Sequence, residues 1–142
     1  AYIGVLFMTG GSFVASALGC SMCGNTVIGA MKHRPEAFGM YITLSALPSS
    51  QGLYGFVGYF MVKNFLIESI TFLQASAILC MGLLMAIANL YSCLNQAQIC
   101  ANGIKEIRDG NNVFTATMIL AVFPELYAIL ALLITILVSN AI

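Results

Sequence analysis

Long apolar stretches, broken only by three short groups of charged residues, set the strongest limit on how this chain can fold. Nine of its ten charged side chains lie within residues 32–36, 63–68 and 105–109. Only 7% of the 142 residues are charged and 61% are hydrophobic, whereas soluble domains carry about 25% charged residues. The chain lacks the polar surface that a water-soluble domain needs, so we expect lipid to be its solvent. Residues 1–142 are predicted to form a single membrane domain.

Four apolar stretches are each long enough to cross a bilayer, which takes about 20 residues of helix. They cover residues 1–31, 36–62, 70 to about 105, and 113–140. Pro48 is expected to interrupt the second stretch, and Pro124 the fourth. The sequence therefore predicts an all-α integral membrane protein of four helices. These form two tandem helical hairpins, residues 1–62 and 70–140, and the second half resembles the first as a weak internal repeat.

Positive charge is distributed unevenly between the predicted loops. Two loops on one side, residues 32–36 and 105–112, contain four of the five Lys and Arg residues, and the opposite side has only Lys63. The positive-inside rule predicts that these two loops are cytoplasmic and that both termini lie outside the cell membrane. The net charge of zero argues against nucleic acid as a partner.

Glu125 is the one charged residue that falls inside an apolar stretch. It lies 13 residues after Asn112, which corresponds to roughly 20 Å of helix. A carboxylate at that depth costs about 2.5–3.5 kcal/mol on insertion scales, so such residues are kept for function and face protein rather than lipid. We therefore predict that Glu125 is the centre of a cation-translocating site.

Other polar side chains are predicted to lie at the same depth. Gln51 is 15 residues from Glu36, and Gln96 is 13 residues before Asp109. Ser50 adds a hydroxyl group, and Tyr54 adds a phenol one helical turn later. A lone serine or glutamine in a membrane helix more often joins helices than binds an ion. Together with one carboxylate, however, these oxygens suit a monovalent cation.

A longer motif around Pro48 resembles a known family. The segments Leu47-Pro48-Ser49-Ser50-Gln51-Gly52-Leu53-Tyr54-Gly55-Phe56-Val57 and Glu125-Leu126-Tyr127-Ala128-Ile129-Leu130 are similar to those of the K subunit, or proteolipid, of bacterial V-type ATPases. The resemblance covers essentially the whole chain. It implies a non-catalytic subunit that assembles with copies of itself into a rotor ring. The ring would turn against a stator membrane subunit with a basic residue, and central-stalk subunits would bind at its cytoplasmic loops.

The resemblance also implies a set of ligands for Na⁺. Carried over by position, the ligands are the Leu47 carbonyl oxygen and the side chains of Ser50, Gln51, Gln96 and Glu125. Gln98 is the alternative to Gln96 in the third span. Tyr54 matches a tyrosine that hydrogen-bonds the acid. Sodium relatives carry threonine where this chain has Ser50, so the hydroxyl oxygen is retained but a methyl group is not. A proton-carrying ring is the alternative, since it needs only the acid.

Two other classes of protein remain as competing interpretations. The first is an autonomous tetraspan drug/proton antiporter, whose membrane glutamate commonly lies in the first span. Here the first span, residues 1–31, has no charged residue. The second is a structural tetraspan protein, which has no use for a buried acid. Both interpretations explain Glu125 less well than a rotor ring does.

Overall fold

The computed structural model describes all 142 residues, and every regular element in it is helical. Five α-helices follow one another along the chain: α1, Tyr2–Met31; α2, Phe38–Ala46; α3, Ser50–Val62; α4, Phe72–Arg108; and α5, Phe114–Ala141. Short 3₁₀ turns at Pro35–Ala37, Leu47–Ser49 and Lys63–Phe65 flank α2 and α3.

Three of these helices, α1, α4 and α5, are long and apolar enough to cross a membrane. The predicted second span is divided between α2 and α3, which have 9 and 13 residues and are too short to cross separately. Their 3₁₀ junction at Leu47–Ser49 leaves them as one interrupted transmembrane element. The prediction of an all-α protein built from two tandem hairpins is confirmed, and the chain is a multi-pass membrane protein.

The bundle is held together mainly by α4. This helix packs along α1 on one side and along α5 on the other, while α3 contacts α1 and α5. Helix α1 contains a π-helical segment, Phe7–Gly11, which the sequence analysis did not predict. Many large apolar side chains point outward, as expected of a protein whose solvent is lipid.

The break before α3 is stabilised by side chains from neighbouring helices. Pro48 has no backbone N–H to continue a helix, and the chain forms a 3₁₀ turn there. The freed backbone groups find partners across the bundle. The Gly52 N–H donates to Ser16 Oγ at 2.7 Å, and the Cys93 thiol donates to the Pro48 carbonyl oxygen at 3.2 Å. Lipid offers no such partners, so these contacts make the break tolerable.

The second proline does not interrupt its helix. We expected Pro124 to break the fourth span as Pro48 breaks the second, but α5 continues from Phe114 to Ala141. That part of the prediction is wrong. The α4 side chain of Gln96 donates to the Ala121 carbonyl oxygen at 3.0 Å, one turn before Pro124. Proline is tolerated in membrane helices where neighbouring helices bond the nearby backbone in this way.

The two loops that carry most of the positive charge lie at one end of the bundle. The Arg34 guanidinium donates to the Ile107 carbonyl oxygen at 2.9 Å and so ties the first loop to the last turn of α4. A cation there also interacts favourably with the C-terminal end of the helix dipole. Beside it, Arg108 hydrogen-bonds Asp109 and holds the pKa of that carboxyl below its ordinary value.

Glycine permits the closest approach between α1 and α4. A Cβ atom added at Gly82 would collide with the backbone of Gly4, including its carbonyl oxygen, and the rigid backbone has little freedom to move away. At Gly24, in the other half of α1, an added Cβ atom would meet no neighbouring atom. The two glycines therefore form a matched pair for testing the packing of the bundle.

We predict that Gly82→Ala destabilises the protein by about 1–3 kcal/mol, the usual cost of overpacking. Gly24→Ala should leave stability unchanged or raise it slightly, because alanine has the higher helix propensity. Thermal unfolding of the detergent-solubilised variants, followed by loss of helical circular dichroism, measures both. Equal midpoints for the two variants would contradict the close contact between α1 and α4.

Candidate ion-binding site

Glu125 extends from the middle of α5 toward α3 and α4, and it is partly buried between them. Each of its carboxylate oxygens has a partner from a different helix. The Tyr54 hydroxyl group on α3 donates to Oε1 at 2.6 Å, and the Gln96 amide nitrogen on α4 donates to Oε2 at 2.9 Å. Hydrogen bonds to a charged acceptor are about twice as strong as neutral ones, and these two replace hydration that lipid cannot supply.

The two glutamines are bonded directly to each other behind the carboxylate. Gln51 Nε2 donates to Gln96 Oε1 at 2.9 Å, and both side chains are completely buried. Because Gln96 also contacts Glu125, the amides and the acid form a continuous polar chain across α3, α4 and α5. The three long polar side chains predicted to share one depth thus do lie together.

The start of α3 adds two more oxygens to this cluster. The Ser50 hydroxyl lies 3.1 Å from the Leu47 carbonyl oxygen and 3.3 Å from Gln51 Oε1. The 3₁₀ turn at Leu47–Ser49 is responsible, because it ends where the Ser50 N–H bonds the Leu47 carbonyl. All six residues singled out from the sequence therefore belong to one connected group.

Gln98, the alternative to Gln96, lies away from this group. It is exposed and lines an open groove between α4 and α5, whereas Gln96 is buried against the acid. Two residues along a helix change direction by about 200°, so both glutamines cannot face the same neighbour.

Sequence reasoning missed a second layer of polar residues behind the glutamines. Gln51 Nε2 also lies 3.2 Å from Ser92 Oγ, and the Asn89 amide donates to Ser12 Oγ at 2.6 Å and to the Gln51 carbonyl oxygen at 3.3 Å. A signal was present in the sequence: Asn89, Ser92 and Gln96 follow at intervals of three and four, which places them on one face of α4.

The donor set limits the chemistry of the cluster. No group of three or more His, Cys, Asp or Glu side chains lies together in the chain, so the ligands typical of zinc and other transition metals are not assembled. What is assembled is one carboxylate with amide, hydroxyl and carbonyl oxygens. These are ligands for hard cations, and their single negative charge balances one positive charge.

The two halves of the chain match one family model separately. The model describes the C subunit of ATP synthase, and it matches residues 3–62 and again residues 79–138. The chain belongs to the ATP synthase C-subunit family. The double match agrees with two tandem hairpins, each equivalent to one copy of the family unit.

Two curated proteins are similar to this chain over more than nine tenths of its length. The chain is 34% identical to V-type sodium ATPase subunit K of Enterococcus hirae over 131 residues, which cover 92% of this chain and 84% of that protein. It is 30% identical to A-type ATP synthase subunit K of Methanocaldococcus jannaschii over 135 residues. That match covers 95% of this chain but only 59% of the archaeal protein. The predicted resemblance to the K subunit of V-type ATPases is confirmed.

Membership of this family also bears on the competing interpretations. An autonomous antiporter and a purely structural tetraspan protein would each lack the repeated family unit. The duplicated match and the acid in its second copy therefore favour a proteolipid subunit over both alternatives.

Proposed function

We propose that this chain is a rotor-ring subunit of a rotary V-type ATPase and that it carries Na⁺ across the membrane at Glu125. The observation that supports the proposal most directly is the bonded chain Tyr54–Glu125–Gln96–Gln51, which draws side chains from three helices to one carboxylate inside the membrane. Such a convergence is not needed to stabilise a helical bundle. It provides a preorganised set of oxygens for one cation.

The proposed ligands are the five oxygens carried over from the resemblance. Glu125 would supply the charge, the side-chain oxygens of Gln51, Gln96 and Ser50 would replace water, and the Leu47 carbonyl would complete the shell. Gln96 Oε1 faces Gln51, so the two amides would reorient slightly as an ion enters. Tyr54 is proposed to hold the carboxylate in place from the opposite side.

The partly exposed position of Glu125 suggests how transport would work. An ion bound to the carboxylate neutralises it, and the neutral site can then pass through lipid as the ring turns. An empty site is an anion, whose exposure to lipid costs about 2.5–3.5 kcal/mol. It would therefore stay beside a basic residue of the stator subunit until it is reloaded. The chain itself would hydrolyse no ATP.

The proposed orientation follows from charge. Loops 32–36 and 105–112 lie together at one end of the bundle, joined by the Arg34–Ile107 contact. We place this end in the cytoplasm, where the central-stalk subunits would bind, and both termini outside.

Sodium is favoured over the proton by the number of oxygens gathered at the site. A proton needs only Glu125 and one hydrogen-bonding partner such as Tyr54, so a proton ring has no use for the buried pair Gln51 and Gln96. The name of the Enterococcus hirae relative, a sodium ATPase subunit, supports the same choice.

We predict that Glu125→Gln abolishes ion transport but leaves the ring assembled. Glutamine keeps the size and hydrogen-bonding capacity of the side chain but removes the charge that balances the cation. ATP-driven ion uptake into vesicles containing the whole complex measures the loss. Glu68→Gln, which alters an exposed loop carboxylate, serves as the control and should retain full uptake. Normal uptake by the Glu125 variant would refute the proposed function.

We also predict that Na⁺ slows the modification of Glu125 by a hydrophobic carbodiimide. A bound ion occupies the carboxylate oxygens that the reagent attacks. The labelling rate of the intact complex should fall as millimolar NaCl is added at constant pH, and an equal concentration of choline chloride should have no effect. Protection that depends on pH alone would favour the proton-carrying ring.

Replacing Gln96 should weaken this protection, whereas replacing Gln98 should not. Gln96→Leu removes a buried ligand and a hydrogen bond to a charged group, which is worth about 1.5–3 kcal/mol. The Na⁺ concentration needed for half-protection should rise at least about tenfold, since about 1.4 kcal/mol corresponds to a factor of ten. Gln98→Leu changes an exposed side chain of the same type and is the matched control. The opposite result would assign the α4 ligand to Gln98.

A further inference from the structure

The two buried glutamines form a directional chain of hydrogen bonds that begins at groups able only to accept. Gln96 Nε2 donates to Glu125 Oε2 at 2.9 Å and to the Ala121 carbonyl oxygen at 3.0 Å. An ionised carboxylate and a backbone carbonyl have no hydrogen to donate, so they face the nitrogen of the amide and not its oxygen. The orientation of the Gln96 amide is thereby fixed, and its Oε1 atom faces Gln51.

The orientation of the Gln51 amide follows from that of Gln96. Gln51 Nε2 donates to Gln96 Oε1 at 2.9 Å and to the Ser92 hydroxyl oxygen at 3.2 Å. A side-chain amide nitrogen has two hydrogens, and both are therefore engaged. The amide oxygen points toward Ser50, whose hydroxyl lies 3.3 Å from Gln51 Oε1. Of the residues that bond the Gln51 side chain, only Ser92 is not a proposed ion ligand.

An ion at the proposed site weakens this chain of hydrogen bonds at one place. A cation between the two amide oxygens draws Gln96 Oε1 toward itself and repels the positive hydrogen on Gln51 Nε2. The bond between Gln51 and Gln96 therefore weakens as the ion binds. Both side chains are fully buried, and an N–H group without an acceptor in such surroundings is unfavourable. The bond to Ser92 then keeps the Gln51 nitrogen away from the ion and its oxygen toward it.

Asn89 lies behind Gln51, one helical turn before Ser92 on the same face of α4. Its amide nitrogen donates to the Gln51 carbonyl oxygen at 3.3 Å and to Ser12 Oγ at 2.6 Å. The Ser12 hydroxyl donates to the Met8 carbonyl oxygen at 2.6 Å, so its oxygen can only accept from Asn89. These contacts fix the orientation of the Asn89 amide and hold the backbone of Gln51 in place.

The oxygen of the Asn89 amide has no hydrogen-bond partner in the chain. Asn89 is completely buried, and its Oδ1 atom accepts from no donor. Unpartnered buried acceptors are rare in proteins because each one loses its hydration without compensation. Oδ1 is thus available to a donor that is released in another state of the site. The nearby Gln51 nitrogen becomes such a donor when the ion draws Gln96 away.

We infer that Ser92 is a positioning residue for the ion site and that Asn89 assists it. With an ion bound, Ser92 retains one hydrogen of Gln51 Nε2, and Asn89 Oδ1 accepts the hydrogen that Gln96 releases. The Gln51 amide oxygen is thereby held toward the ion. Neither Ser92 nor Asn89 contacts the ion, and both act through Gln51. This inference rests on the proposed Na⁺ site and extends it by the residues that orient one of its ligands.

The empty and the ion-bound site depend on Ser92 to different extents. In the empty site Glu125 is bonded by Tyr54 and Gln96, and the Gln96 nitrogen is fixed by groups of α5. The Ser92 hydroxyl bonds none of these groups, only Gln51. Loss of the hydroxyl should therefore weaken ion binding and leave the empty carboxylate unchanged. A serine that only joined helices would not distinguish the two states.

Matched substitutions at Ser92 test the inference in the intact complex. Valine and threonine have nearly the same shape, but only threonine keeps the hydroxyl group. We expect Ser92→Val to raise the Na⁺ concentration that half-protects Glu125 from carbodiimide by about tenfold, and Ser92→Thr to stay within about twofold of the unmodified protein. Ser92→Ala adds no bulk and should resemble Ser92→Val.

A second readout separates positioning from a general structural effect. The pH dependence of carbodiimide labelling is measured without Na⁺, in choline chloride. Ser92→Ala should leave this profile unchanged, because the empty carboxylate keeps both of its partners. Asn89→Leu removes the unpartnered oxygen, and it should also raise the half-protecting Na⁺ concentration without moving the profile. A variant that shifts both measurements equally would show a structural role and overturn the inference for that residue.

The remaining outcomes are also distinguishable. Equal loss of Na⁺ protection in Ser92→Val and Ser92→Thr, or normal protection in Ser92→Ala, would overturn the role of the Ser92 hydroxyl. Normal protection in Asn89→Leu would overturn the role of Asn89. In each of these cases the unmodified protein is still protected by Na⁺, and the proposed function stands. Absence of Na⁺ protection in the unmodified protein would overturn both the proposed Na⁺ transport and this inference.

Discussion

The carboxylate of Glu125 is the group on which the arrangement of the bundle depends. Left alone at mid-membrane it would be strongly unfavourable, and its stability comes from Gln96 and Tyr54 on two neighbouring helices. Those partners are useful only if α3, α4 and α5 keep a fixed depth relative to one another. The tight contact of α1 with α4 at Gly82, and the Arg34 contact that joins the two charged loops, both restrict sliding along the helix axes. Packing far from the acid thereby maintains its hydrogen bonds.

The break at Pro48 and the proposed ion site are parts of the same structure. A continuous helix would bond every backbone group internally and leave no carbonyl oxygen for an ion. The 3₁₀ turn brings the Leu47 carbonyl and the Ser50 hydroxyl together, while Ser16 and Cys93 bond the backbone groups that the break releases. A break of this kind in a membrane helix thus requires polar partners on neighbouring helices, including α1, which contributes no residue to the proposed site. This explains why α1, which has no charged residue, still places Ser16 against the start of α3.

Depth along a helix could be counted from the sequence, and this was enough to group Gln51, Gln96 and Glu125. The direction in which each side chain points could not be derived from the sequence, so Gln98 remained an alternative to Gln96. The packing of the helices distinguishes the two. Ser92, Asn89 and Ser12 were missed for a related reason: single small polar residues are common in membrane helices, and only packing shows which ones meet. The effect of Pro124 was predicted wrongly because it depends on the neighbouring Gln96 side chain and not only on the pyrrolidine ring of the proline. Local chemistry was predictable, whereas relations between helices were not.

The internal repeat does not extend to the residues of the proposed ion site. Both hairpins match the same family unit, with Pro48 and Pro124 at equivalent positions 76 residues apart. In this register Ser49, Tyr127 and Cys20 are the equivalents of Glu125, Gln51 and Gln96. In an unduplicated protein of this family, one mutation would alter every copy of the unit at once. After duplication, one half can keep the acid while the other carries Ser49 at the equivalent position. The two hairpins can thus differ in sequence, so that the polar side chains of the proposed ion site are carried by only one set of equivalent positions.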